Sequence, residues 1–301
     1  MTATTTTNSN RIDSIDIAKG IGITLVVLFH TRLEYFTTVR DIIYTFYMPL
    51  FFFISGICFQ SGKYPLKDFI KKRWIQLMRP AIIFTLVITI ISYFSDKRNS
   101  FINLKDVFPY ALWFLPILYF SSLLAFIILK YNTNFVRQLW FVCILICIGY
   151  ALQANNVQLP YFLQSIPLAT SFYILGNLTK TKLQRVLKHP CPNLYIIAAS
   201  LLFITGCLLL HPQVNIARNR MQPFAASYIL SCIAIYITLI LSGTCKRYYL
   251  HKRLTYLGPN SLPIMCVHQF IMVKAIHPII DVLEKQSSIL HSLRGDLYPL
   301  N

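Results

Sequence analysis

The chain has 301 residues, of which 55% are hydrophobic and 13% charged, and its mean hydropathy is +0.56. That composition excludes an ordinary soluble globular domain and fits a polytopic membrane protein. The formal charge of +18 does not call for nucleic acid, because the cations are dispersed between apolar runs and not gathered on one soluble face.

The polar start MTATTTTNSNRIDSID lacks the basic region and small-residue cleavage site of a secretory signal, so the first apolar run reads as a retained span. Runs long enough to cross about 30 Å of hydrocarbon lie near 15–33, 42–60, 79–95, 108–129, 138–154, 160–178, 193–211, 222–243 and 256–280. They predict an all-α polytopic membrane helix bundle of about nine transmembrane helices, or ten if a long run breaks or residues 281–301 fold back. Only ANNVQLP separates the fifth run from the sixth, which carries Pro167. No linker, repeat or low-complexity block divides the chain. It reads as one domain over 1–301, with a short polar N-terminal tail to about residue 14 and a C-terminal tail from about 281. The loops GKYPLKDFIKKRWIQLMR, KYNTNFVR, TKTKLQRVLKH and CKRYYLHKR follow even-numbered spans and are rich in Lys and Arg. Positive-inside bias places them, and the N-terminus, in the cytoplasm.

The first span holds Lys19 and His30, both ionisable. Eleven residues of α-helix turn about 1100°, close to three full turns, and rise about 16 Å, so the two side chains share a face about half a membrane apart. An ionisable residue inside a bilayer is costly unless it faces a bundle interior or a wet cavity, which makes both functional candidates. Glu34 follows His30 at i+4, and Arg32 lies two positions on. In the second span, Pro49, Ser55 and Gly56 are expected to kink the helix and tighten its packing. The next loop carries Lys67, Lys71, Lys72, Arg73 and Arg79; on a continuous helix Lys72, Gln76 and Arg79 share a face at i, i+4 and i+7. Trp113 reads as a packed or interfacial aromatic. His268 lies in the last span, behind Asn260 and Ser261, which read as its N-cap.

The eight cysteines form no CxxC pair and read as small hydrophobes. Ten acidic residues, mostly in loops, argue against an acid-rich metal centre, and no metal is expected. There is no phosphate-binding glycine loop, GxSxG elbow or zinc-helix motif. Chemistry must come from His, Lys, Arg and a few hydroxyls.

The run RIDSIDIAKGIGITLVVLFH resembles the first helix of the membrane-bound acyltransferase 3 family, in which a basic residue, ten intervening positions and a His form the signature; here these are Lys19 and His30. FYMPLFFFISGICF at 46–59, ALWFLPILYF at 111–120, SFYILGNL at 171–178 and LGPNSLPIMCVHQFIM at 257–272 are similar to other recurring pieces of that family, in order along nearly the whole chain. The resemblance implies a stand-alone membrane-bound O-acyltransferase of the inner membrane. Such an enzyme moves an acetyl or other short acyl group from cytoplasmic acyl-coenzyme A, acetyl-CoA in the usual case, to a hydroxyl of a cell-envelope or exported carbohydrate or glycolipid. It implies His30 as general base or, less directly, acyl acceptor. Glu34 would orient the ring, Lys19 would serve the donor side, and Arg32 and His268 would line the acceptor path. The family's Arg, two residues, Arg motif reads Arg73, Trp74, Ile75, Gln76 here, so its second Arg is missing and Lys72 or Arg79 would supply the charge for coenzyme A phosphates.

Plainer readings stand beside these. The loop cations can serve orientation alone, Lys19 can snorkel to the interface, and His30 can be a hydrogen-bonded structural residue. A different class, a transporter or flippase for an anionic glycolipid or small substrate, also fits a bundle with intramembrane His and cations. The ordered motifs and the lack of an inverted repeat of interrupted helices weigh against it.

Overall fold

The computed structural model describes residues 13–30, 37–60, 62–95, 108–188, 193–244 and 250–280. The structure is a nearly all-α bundle. In chain order its helices are α1 (Asp13–Phe29), α2 (Thr37–Tyr44), α3 (Tyr47–Ile57), α4 (Leu66–Arg73), α5 (Arg79–Ser95) and α6 (Phe114–Tyr131). They continue as α7 (Phe135–Ala154), α8 (Ile166–Lys188), α9 (Asn193–Leu210), α10 (Phe224–Thr244), α11 (Leu250–Leu257) and α12 (Ser261–Ile271). A wide π turn at Trp74–Met78 fuses α4 to α5, and another, Met272–Ile276, extends α12. Five continuous helical stretches are long and apolar enough to cross a membrane: Leu66–Phe94, Tyr110–Tyr131, Phe135–Ala154, Phe224–Gly243 and Ser261–Ile280.

Two expected spans are modified. The run at 42–60 is not one helix: α2 is amphipathic and stops at Thr45, whose hydroxyl donates to the Asp41 carbonyl at 3.0 Å, and α3 restarts two residues later. Pro49 falls in the first turn of α3, where a missing N–H costs no intrahelical bond, so it marks a helix start and not a kink. The run at 160–178 opens as a short 3-10 segment, Pro160–Ser165, with Tyr161 (φ 57°) and Phe162 (φ 62°) in the left-handed region; α8 begins after it and continues to Lys188. Such backbone costs about 1–3 kcal/mol per non-glycine residue and persists only where surroundings hold it. Here the Phe162 ring packs on Trp113 with centroids 6.0 Å apart.

The core is built on close backbone approaches, because helices in lipid gain little from burying apolar surface and pack through small residues instead. Helices α3 and α8 meet through reciprocal glycines: a Cβ on Gly56 would overlap the Tyr173 carbonyl, and one on Gly176 the Phe53 carbonyl. Asn177 seals the contact, its Nδ2 donating to Gly56 O (3.2 Å) and Phe59 O (3.1 Å). Helix α1 meets α11 the same way, through Gly20 against the Leu254 carbonyl and Gly258 against that of Asp16. Both approaches converge on the N-terminal half of α1, where Lys19 sits.

The one sheet in the described residues has no counterpart in the apolar runs. Residues 211–223 form a small antiparallel hairpin, β1 (Gln213–Asn215) with β2 (Arg220–Gln222), in the register Gln213↔Gln222, Val214↔Met221 and Asn215↔Arg220. Val214 and Met221 point into the protein and their neighbours outward. Gln153, at the end of α7, grips Met221 by both backbone groups, donating to its carbonyl (2.8 Å) and accepting from its N–H (2.7 Å).

Candidate active site

Helix α1 starts with Asp13 and Asp16 in its first turn, where carboxylates complement the positive end of the helix dipole. Asp16 is 3% exposed, and its Oδ1 lies 3.5 Å from Lys19 Nζ, one turn on. A buried carboxylate thus holds the Lys19 ammonium against the first turns of α1. Asp16 was legible at i−3 in the same helix, yet the sequence pattern did not single it out.

Lys19 lines a cavity of about 320 Å³ together with Arg73, Gln76 and Ser55, its walls supplied by Phe51, Phe114 and other apolar side chains and its edge by Gly258, Pro259 and Ser261. Arg73 is half-buried, and its Nη2 donates to the Tyr173 hydroxyl at 3.1 Å. Its fork is thus aimed by α8, at the same helix contact that Gly56 and Gly176 allow. Ser55, also on the cavity wall, donates from Oγ to Phe51 O at 2.8 Å, within its own helix.

The shared face expected for Lys72, Gln76 and Arg79 does not form. The π turn at Trp74–Met78 inserts an extra residue into the helical register, so Arg73, Gln76 and Leu77 face the cavity while Lys72 and Arg79 are exposed. Lys72 instead donates to the Tyr64 hydroxyl at 2.8 Å, lowering the phenol's pKa from its ordinary value. Arg73 and Lys19 are the two predicted cations brought together. Asn260 makes no side-chain N-cap bond for α12; its Nδ2 donates to Tyr256 O at 2.8 Å.

From the cavity, α1 and α12 run side by side to a second cluster at the opposite end. His30 Nδ1 donates to Val26 O at 2.6 Å, and His268 Nδ1 faces Ile264 O and Met265 O at 3.1 and 3.0 Å. The rings lie edge to face with centroids 5.0 Å apart. With each Nδ1 proton held by its own helix, each neutral ring keeps its Nε2 lone pair free. His268 is 4% exposed and its Nε2 has no partner among the described residues. His277, which the sequence did not mark, donates from Nε2 to the His30 carbonyl at 3.2 Å. Glu34 and Arg32, expected as orienting and acceptor-side residues, lie outside the described residues. The arrangement offers two imidazole bases at one end and a cationic, apolar-walled cavity at the other, joined by two helices.

These features define a helical membrane protein with a cationic cavity and a histidine pair carried by the same two helices. A family model described as an acyltransferase domain matches residues 12–289, almost the entire chain, and the protein belongs to that acyltransferase family. Nodulation protein NolL of Mesorhizobium japonicum is 30% identical over 152 residues, covering 44% of this chain and 39% of that protein. The aligned part thus spans well under half of that relative. No solved structure matches the chain.

Proposed function

We propose that the protein is an inner-membrane O-acyltransferase that moves a short acyl group, acetyl above all, from cytoplasmic acyl-CoA to a hydroxyl of an envelope or exported carbohydrate. The observation that carries this reading is the joining of the Lys19–Arg73 cavity to the His30–His268 pair by α1 and α12. Its donor side has the required chemistry: two cations for phosphate groups, apolar walls for an alkyl-amide arm, and a volume of about 320 Å³, within the range of small-molecule sites. The basic end is the cytoplasmic one by positive-inside bias, which puts the histidines toward the outer face.

Bound acyl-CoA supplies an activated thioester carbonyl. His30 Nε2 takes the proton from the acceptor hydroxyl as its oxygen forms the new ester bond, and returns that proton to the sulfur that departs, so the ring ends neutral. The Nδ1 bond to Val26 O fixes the tautomer this step needs. His268 offers a second free Nε2 next to it, placed to orient the acceptor hydroxyl. Lys19, pinned by Asp16, and Arg73, pinned by Tyr173, hold the donor's phosphates about 16 Å below, the rise of eleven residues along α1.

The test uses purified protein in liposomes with radiolabelled acetyl-CoA and an envelope glycan extract. Label is expected to move to glycan; absence of transfer from both acetyl- and succinyl-CoA by folded protein would turn the reading toward transport. Arg73→Ala is expected to raise the KM for acyl-CoA by about 10–100-fold, the worth of a charged contact of about 1.5–3 kcal/mol, with the acceptor KM unchanged. Lys19→Ala should act in the same direction. Equal changes in both KM values would point to a folding defect.

A further inference from the structure

At the end of the bundle where the histidines lie, the hairpin and the end of α7 enclose a second pocket, of about 550 Å³, lined by Tyr150, Gln158, Asn156, Gln222, Arg218 and Arg220 among others. Its lining holds two arginines and no carboxylate. Both arginines are exposed, and among the described residues neither forms an ion pair. Beneath the pocket, Asn219 is buried and its Nδ2 donates to Gly149 O at 2.8 Å, tying the hairpin turn to α7.

The pocket's walls are held rigidly. Gln153 clamps Met221 through both backbone groups, and the Arg218 N–H donates to Asn215 Oδ1 at 3.1 Å, which fixes the hairpin turn. The pocket is also mechanically continuous with the histidine pair. Gln164 donates from Nε2 to Ala217 O in the hairpin turn (3.3 Å) and accepts from the Leu159 N–H (3.0 Å). Phe162, two residues before Gln164, packs on Trp113; Trp113 closes a second 3-10 segment, Tyr110–Trp113, whose Tyr110 packs on Phe270 of α12, two residues after His268.

The geometry points to this pocket as an outer-face subsite for an acidic saccharide, Arg218 and Arg220 pairing with a sugar carboxylate while the side-chain amides of Asn156, Gln158 and Gln222 take ring hydroxyls. Arginine suits the role because its planar fork binds a carboxylate bidentately, and convergent amides match the alternating donors and acceptors of a sugar ring. The inference rests on the acyltransferase reading for its purpose, since it names an acidic glycan as acceptor, but not for its test.

Binding of a hexamer of galacturonic acid to the full-length protein in neutral-lipid nanodiscs, compared with neutral maltohexaose, tests it by calorimetry. The uronate hexamer is expected to bind at least about tenfold more tightly than the neutral one and to weaken as salt rises. The Arg218→Ala/Arg220→Ala double variant should lose that preference with an unchanged melting temperature, the double Lys variant should retain part of it, and His30→Ala should bind as the wild type does. Uronate binding that survives in the alanine variant, equal binding of the neutral hexamer, or preference for phosphatidylglycerol vesicles over the uronate would each overturn the proposal. Arginine-dependent uronate binding without any acyl transfer by the wild type would remove the enzyme reading and leave the pocket standing. Transfer without such binding would do the reverse.

Discussion

His30→Ala is expected to lower acyl transfer by about 10²–10⁴-fold, the usual contribution of a positioned general base, or roughly 3–5 kcal/mol of transition-state stabilisation. The loss should fall on kcat, because the proposed base would act on a proton that moves only in the reaction, and the KM for acyl-CoA should change little. Folding should survive. The His30 Nδ1 bond runs to Val26 within the same turn of helix, and alanine is the strongest helix former. His268→Gln serves as the companion variant, keeping a polar side chain beside His30 while removing the free imine nitrogen. Single-turnover transfer from labelled acetyl-CoA, with detergent melting curves for each variant, checks both halves of the expectation. Undiminished transfer by His30→Ala would eliminate the base assignment.

Gly56→Leu should do comparable damage by a different route. Even a Cβ at this position overlaps the Tyr173 carbonyl, which belongs to backbone and cannot rotate aside. Overpacking of an interior usually costs about 1–3 kcal/mol, and more when no side chain can yield. Separating α3 from α8 would also break the Asn177 bonds to Gly56 O and Phe59 O and carry Tyr173 away from Arg73. Both folding and the Lys19–Arg73 cavity are therefore expected to fail together: little monodisperse protein in detergent, and a melting temperature well below wild type in what remains. Gly176→Leu, on the facing helix, should behave alike. A wild-type melting curve for either variant would contradict the packing argument.

Much of the bundle is legible because two physical signals act locally. Long apolar runs must be helical in lipid, where every backbone polar group needs an internal partner. Helical periodicity then places Lys19 and His30 on one stripe of α1 whatever the rest of the chain does. The same periodicity misled at Lys72 and Arg79, because a π turn changes the register and leaves no mark in composition. The hairpin was in principle readable: Gln213, Val214, Asn215 and Ile216 alternate polar and apolar, the period of a half-buried strand. Three-residue strands, however, are too short to stand out between apolar runs.

Residue order by itself determined that this chain is a helical membrane bundle, that one stripe of its first helix is ionisable, and that its motifs run in the order of an acyltransferase family. Those properties depend on neighbours one or two turns away. Tertiary structure decided that His268 meets His30, 238 positions earlier in the chain, with rings 5.0 Å apart. It also decided that Tyr173 aims Arg73 into the cavity with Lys19, and that Arg218 and Arg220 open onto a pocket of their own. Such pairings follow from which helices approach closely enough to touch, and backbone contacts such as Gly56 against Tyr173 set that across long stretches of chain, beyond the reach of any local pattern.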